Sequence, residues 1–149
     1  MAPLLAAHAG ATLFMVGLIW FVQVVHYPLF GIVGADGFAG YERAHTGLTT
    51  IVVGPPMLVE LGSAVLILLW RPVSWPLWAA WLGLALLAVI WASTLFLQVP
   101  RHGDLSAGFA PDAHRALVAT NWIRTVAWTL RGAMVLYFSF LAGQAHPPA

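Results

Sequence analysis

The sequence contains no cysteine and no lysine, and only 7% of its 149 residues are charged. The absence of cysteine excludes disulfides, thiolate metal ligands and thiol redox chemistry. Six arginines stand against five acidic residues, and no basic run is present, so nothing indicates a nucleic-acid partner. An ordinary soluble domain has about 25% charged residues. Because 61% of this chain is hydrophobic, the composition is that of a membrane protein.

Four apolar stretches are each long enough to cross a bilayer, which requires roughly 20 residues. Tyr27-Pro28, Arg71-Pro72 and Val99-Pro100 are expected to end the first three stretches, and Pro111-Asp112 to begin the fourth. The predicted helices cover residues 4–27, 47–70, 75–99 and 113–141. The sequence therefore predicts an all-α fold: a polytopic four-helix transmembrane bundle with short loops, forming a single domain over residues 1–149.

The first stretch lacks a basic n-region and is longer than a signal-peptide h-region, so we expect it to be retained as a helix. The arginines near the helix ends favour a cytoplasmic location for the 28–46 and 100–112 connections. We therefore expect an integral protein of the bacterial inner membrane. Its expected partners are the lipid bilayer and a hydrophobic small molecule, and a homo-oligomer or a larger membrane complex stays open.

Glu60 and Arg124 lie near the middle of the second and fourth stretches. A charge at that depth costs roughly 2.5–3.5 kcal/mol on insertion scales and persists where it meets a partner or a cavity. Both side chains lie about 16–18 Å from the polar end at a rise of ~1.5 Å per residue, so we predict that they form a direct or water-bridged pair. Arg131, a further ~10 Å along, is expected to snorkel toward the opposite interface. Gly54-Pro55-Pro56 predicts a kink or local unwinding one turn before Glu60.

Polar residues recur at helical spacing on one face of every stretch, which predicts that the four faces converge on a common interior. We expect a cavity between the first, second and fourth helices, open toward the bilayer or the polar end. The candidate catalytic residues are Glu60, Arg124, Asn121 and His26. Gln23, Trp91 and Trp128 are the candidate binding residues, because indole rings can hold a planar ligand by stacking.

Four histidines and an acid fall near one predicted end of the bundle: His26, His45, His102, His114 and Glu42. Imidazole and carboxylate groups are ligands for iron, copper or zinc, and a Glu-x-x-His pair such as Glu42 and His45 is half of a bundle di-iron ligand set. A metal site is one interpretation, and histidines that only hydrogen-bond the loops are the other. A haem is less favoured, because no CxxCH motif is present.

The end of the third helix reads Gln98-Val99-Pro100-Arg101-His102-Gly103-Asp104-Leu105, and the start of the fourth contains Ala113-His114-Arg115 and Thr120-Asn121-Trp122-Ile123-Arg124-Thr125. The Val-Pro motif and the Asn-x-x-Arg-Thr pattern in these segments resemble those of small four-helix membrane proteins of the anthrone-oxygenase-like group, and the resemblance covers about a third of the chain. It implies a compact helical bundle and, by analogy with characterised members, oxygenation of polycyclic aromatic anthrones. Asn121 and Arg124 are the positions that the motif carries over.

The function predicted from these features is that of a membrane oxidoreductase or oxygenase acting on an apolar or quinone-like aromatic substrate. Glu60 and a histidine would move protons, while Arg124 and Asn121 would stabilise an enolate or phenolate oxygen. The alternative is a non-catalytic accessory subunit or small-molecule-binding module whose polar stripes serve packing. An exchange transporter is the third reading, since four helices without a repeat form a poor alternating-access unit.

Overall fold

The computed structural model describes residues 1–72 and 75–144, and within these ranges the chain is helical without any strand. Four long helical segments follow one another: α1 (Ala2–Ile32), α2 (Ala35–Leu69), α3 (Leu77–Ser106) and α4 (Pro111–Gln144). The predicted all-α fold is confirmed. By length and composition, α1, α2 and α3 are suited to cross a membrane.

The four helices pack side by side, with α1 against α2 and α4, and α3 against α4 and α2. The larger buried cluster includes Met15, Ile19, Phe30 and Ile90, and a smaller one lies around Trp75 and Phe138. Many large apolar side chains point outward instead, as expected of a surface that contacts lipid, among them Val24, Leu48, Ile51, Phe96 and Leu136. The interior holds buried charged groups as well, namely Glu42, Glu60, Arg124 and Arg131.

Two prolines that were expected to end helices lie inside them. A five-residue π-helical turn, Val22–His26, precedes Tyr27-Pro28 in α1, and a second one, Thr94–Gln98, precedes Val99-Pro100 in α3. A proline removes one helical hydrogen bond and clashes with the preceding turn, and a π turn widens the backbone at that point. The predicted ends at 27 and 99 were therefore too early, because α1 continues to Ile32 and α3 to Ser106.

Helix α2 begins at Ala35, twelve residues before the predicted start at 47, so the connection from α1 is only residues 33–34. Gly34 makes this turn with φ at 89°, a conformation that glycine adopts without strain. Pro55 and Pro56 lie inside α2, which continues as an α-helix through both. The expected unwinding is not observed. The Tyr41–His45 segment, predicted as a connection, is therefore helical and presents its side chains at fixed spacing.

Candidate functional site

The structure pairs Glu60 with Arg131 and leaves Arg124 elsewhere, so the predicted Glu60–Arg124 pair is wrong. Nη2 of Arg131 lies 3.2 Å from Oε1 of Glu60, and both side chains are buried. Glu60 also accepts hydrogen bonds from Thr12 at 2.7 Å and from the Trp128 indole at 2.8 Å. Arg131 is 2% exposed and also donates to the Gly83 carbonyl, so it does not snorkel. Arg131 lies two turns beyond Arg124 on the same face of α4. The depth of Glu60 estimated from the sequence was therefore too small by about two turns relative to α4.

Arg124 is instead held by neutral groups. Its Nε and Nη2 atoms donate to Oδ1 of Asn121 at 2.9 and 2.5 Å, and Nη2 also lies 3.2 Å from the Tyr27 hydroxyl. Thr94 and Gln98, both in the π turn of α3, are longer contacts at 3.4 and 3.5 Å. No carboxylate belongs to the set of groups that Arg124 contacts within the described ranges. Its positive charge is therefore directed at Tyr27 and the space beside it.

A hydrogen-bonded chain runs from a buried acid to this arginine. Nδ1 of His102 lies 2.5 Å from Oε1 of Glu42, and Nε2 of the same ring lies 2.9 Å from the Tyr27 hydroxyl. Tyr27 in turn meets Arg124. With Glu42 as a carboxylate and His102 as a neutral ring, Nδ1 donates to Glu42 and Nε2 accepts from the Tyr27 hydroxyl. Glu42, His102, Tyr27 and Arg124 thus form a directional chain across all four helices.

His26, His45 and His114, the other histidines of the predicted cluster, lie near this chain without a metal-like arrangement. Nε2 of His26 lies 2.9 Å from Nδ1 of His45, and the His45 ring is 5.3 Å from that of His102. His114 is held apart, because its Nε2 bonds to the Tyr27 carbonyl at 2.8 Å. Over residues 1–72 and 75–144, no group of three or more His, Asp or Glu side chains could hold a metal ion. The alternative of iron, copper or zinc therefore finds no support in this geometry.

A cavity of about 560 Å³ lies beside the chain and is lined by all four helices. Its polar wall holds Tyr27, His45, Gln98, His102 and Arg124, and the rest is mainly apolar, with contributions from Met15, Ile19, Val22, Val53, Met57, Trp91 and Trp128. Small-molecule sites typically have ~300–1,000 Å³ and this balance of an apolar wall with few polar groups. The expected cavity is present, and it includes a larger part of α3 than the sequence suggested.

Of the predicted catalytic and binding residues, Trp91, Trp128 and Arg124 line the cavity, as do the candidate metal ligands His45 and His102. Gln23 and Asn121 do not line it and instead lie behind Arg124, which donates to Asn121. Asn121 donates to Oε1 of Gln23 at 2.8 Å, and Gln23 donates to the Val118 carbonyl. These two amides therefore position the guanidinium. Glu60 does not line the cavity but accepts a hydrogen bond from the lining residue Trp128. His26 likewise lies outside the lining and contacts the lining residue His45.

Tyr27 is the functional side chain that the sequence analysis missed. It was assigned to the end of a helix, because Pro28 follows it. The usable signal was its spacing, since Gln23 and Tyr27 are four residues apart and share a helical face if the helix continues. The two π turns are visible only in the structure, and they support a role for this region because such turns are frequent at functional sites.

Comparison with known proteins finds no matching family, no curated relative and no solved structure that the chain matches. The resemblance to anthrone-oxygenase-like proteins therefore stays a prediction.

Proposed function

We propose that this chain is an integral membrane enzyme, a bundle of four transmembrane helices in the bacterial inner membrane, that transfers protons to and from an apolar carbonyl or phenol compound. The assignment of α4 as the fourth spanning helix is supported by the burial of its two mid-helix arginines, Arg124 and Arg131, against the other three helices. Charges that face a bundle interior are compatible with a spanning helix.

The observation that carries this proposal is the chain from Glu42 through His102 to Tyr27, which ends on the cavity wall. A carboxylate that holds a histidine in one tautomer makes the opposite ring nitrogen a better base. His102 can accept the Tyr27 proton as Tyr27 takes one from a ligand, and the reverse transfer makes Tyr27 an acid. Arg124 stabilises negative charge on the phenol oxygen or on a ligand oxygen beside it.

The shape of the cavity indicates the kind of ligand. Its apolar part is bounded by Trp91, Trp128 and Met57, while the phenol and guanidinium donors lie together at the Tyr27–Arg124 end. A ligand with a planar hydrocarbon body and one enolisable carbonyl or one phenol fits both the apolar part of the cavity and its Tyr27–Arg124 end. Deprotonation gives such a compound the electron-rich form that a quinone or molecular oxygen oxidises. The oxidoreductase and anthrone-like predictions are consistent with this first step.

Exchange of a carbon-bound hydrogen tests the proposal without any oxidant. Anthrone, a planar ketone with acidic methylene hydrogens, is incubated anaerobically in deuterium oxide with the protein in vesicles. Wild type is expected to accelerate deuterium uptake above empty vesicles, and Tyr27→Phe to abolish the acceleration, because the phenol proton is removed. Tyr137→Phe is the matched control, since this tyrosine is 59% exposed on α4.

Two outcomes would contradict the enzyme. Undiminished exchange with Tyr27→Phe would remove Tyr27 from the chemistry. Saturable binding of anthrone without accelerated exchange in wild type would support the alternative, a non-catalytic binding module.

A further inference from the structure

The cavity opens through one side of the bundle. Its lining residues on α1 and α4 are buried, apart from the half-buried Leu18. The exposed lining residues are Thr50 on α2, and Val99 and Gly103 on α3. The opening therefore lies between α2 and α3, and the other helices form the closed back wall.

The opening is bounded toward the 107–110 connection by contacts between the same two helices. Arg43 donates to the Ser106 carbonyl at 3.4 Å, and Glu42 bonds to His102 one residue earlier on α2. Gly103 lies between His102 and Ser106 on α3, Gly54 lies about three turns beyond Arg43 on α2, and both glycines line the cavity. A Cβ atom added to Gly54 or Gly103 would meet nothing within 4 Å. The gap is thus bounded on the connection side by the Arg43–Ser106 contact, and Thr50 and Val99 are its exposed lining residues further along.

The depth of the opening places it at the edge of the hydrocarbon region. Trp70, 63% exposed, lies at the far end of α2, where tryptophan marks a membrane interface. Thr50 lies 20 residues before it, which is about 30 Å of helix and equals the thickness of a bilayer core. Ile51, the neighbour of Thr50 in the chain, and Phe96, three residues before Val99, are 71% and 75% exposed. The surroundings of the opening are therefore suited to acyl chains.

We propose that the ligand reaches the cavity sideways from the lipid, through the opening between α2 and α3 at Thr50, Val99 and Gly103. This inference rests on the proposed function for the identity of the site, and it narrows the substrate class to uncharged molecules that partition into the bilayer. A phenol hydroxyl can donate to the oxygens of Thr46, Thr50 and Ser106 while it crosses the gap, since the protons of these three hydroxyls are directed at backbone carbonyls. The apolar body then follows into the space beside Met57.

A small photoactivated probe tests the route independently of catalysis. An apolar aryl diazirine is dissolved in phosphatidylcholine vesicles that contain the protein, irradiated briefly and mapped by mass spectrometry. Wild type is expected to be labelled at Met57 inside the cavity and at Phe96 on the lipid face. Gly103→Trp, which fills the gap, is expected to reduce Met57 labelling to the level without irradiation and to leave Phe96 labelled.

The matched control is Gly62→Trp, because Gly62 is also exposed on a helix, has no atom within 4 Å of an added Cβ and does not line the cavity. It should label as wild type does. Thr50→Trp narrows the gap from α2 and serves as the second blocking variant. Equal Met57 labelling in wild type and both blocked variants would overturn the route, as would absence of Met57 labelling in wild type. Tyr27→Phe should label normally, so a failure of the catalytic proposal stays distinguishable from a failure of the route.

Discussion

The ring of His102 lies with Nδ1 2.5 Å from Oε1 of Glu42, a carboxylate that is fully buried and 60 residues away in the sequence. The other carboxylate oxygen of Glu42 has no hydrogen-bond partner among the described residues. Burying a carboxylate costs free energy unless its charge is paired or hydrogen-bonded. The contact fixes the His102 tautomer, and through it the direction of the Tyr27 hydrogen bond.

Glu42→Gln should keep the fold and lose most of the proton-transfer activity. Glutamine retains the shape and can still accept from His102, but it cannot stabilise the charged ring that forms when His102 takes a proton. We expect the deuterium-exchange rate to fall on the order of 100-fold, within the range that acid–base groups contribute. Asp36→Asn, an exposed acid in the first turn of the same helix, is the control. A Glu42→Gln protein with the wild-type rate would show that the carboxylate only supports packing.

Breaking the Glu60–Arg131 pair should destabilise the bundle more than removing both charges. Glu60→Gln strands Arg131, and Arg131→Gln strands Glu60, and a stranded buried charge typically costs about 3–5 kcal/mol. The double variant Glu60→Gln/Arg131→Gln removes both charges, so its loss should be smaller than that of either single variant. Thermal unfolding in detergent measures all three. Additive losses would mean that the two charges do not stabilise each other.

Helix content and membrane character could be predicted from the sequence, because they follow from composition and from the length of the apolar stretches. Helix ends could not be predicted at Pro28 and Pro100, since a π turn offsets a proline and leaves no separate mark in the sequence. The partner of Glu60 could not be predicted from the sequence either. Arg124 and Arg131 share one helical face, so the choice between them depends on the axial offset between α2 and α4, which only tertiary packing sets.

The contact between α1 and α4 predicts an unusually sensitive glycine. A Cβ atom on Gly132 would lie 2.9 Å from Cγ2 of Val16, whose branched side chain has little freedom to move. Gly132→Ala should therefore force the helices apart and lower stability by about 1–3 kcal/mol, as overpacking usually does. Gly62→Ala meets no atom and should not lower it. Val16→Ala combined with Gly132→Ala should recover part of the loss, and a neutral Gly132→Ala would refute this packing.

Arg124→Lys should impair catalysis although the positive charge is retained. The planar guanidinium donates to Asn121 through two nitrogens and still reaches the Tyr27 hydroxyl, while an ammonium group on a shorter, flexible stem cannot satisfy both. Tyr27 and the developing ligand oxygen then lose a positioned donor, so the exchange rate should fall by about 10²–10³, as for loss of one oxyanion donor.

Arg115→Lys is the matched control, because Arg115 is exposed on the same helix and pairs only with Asp112 in the described part of the chain. A slow variant could have lost catalysis or only stability, and unfolding temperatures measured in parallel separate the two. If the arginine were merely structural, its replacement would lower the unfolding temperature and the exchange rate together. If Arg124→Lys exchanges at the wild-type rate, this arginine contributes only its positive charge to catalysis, and its planar geometry does not matter.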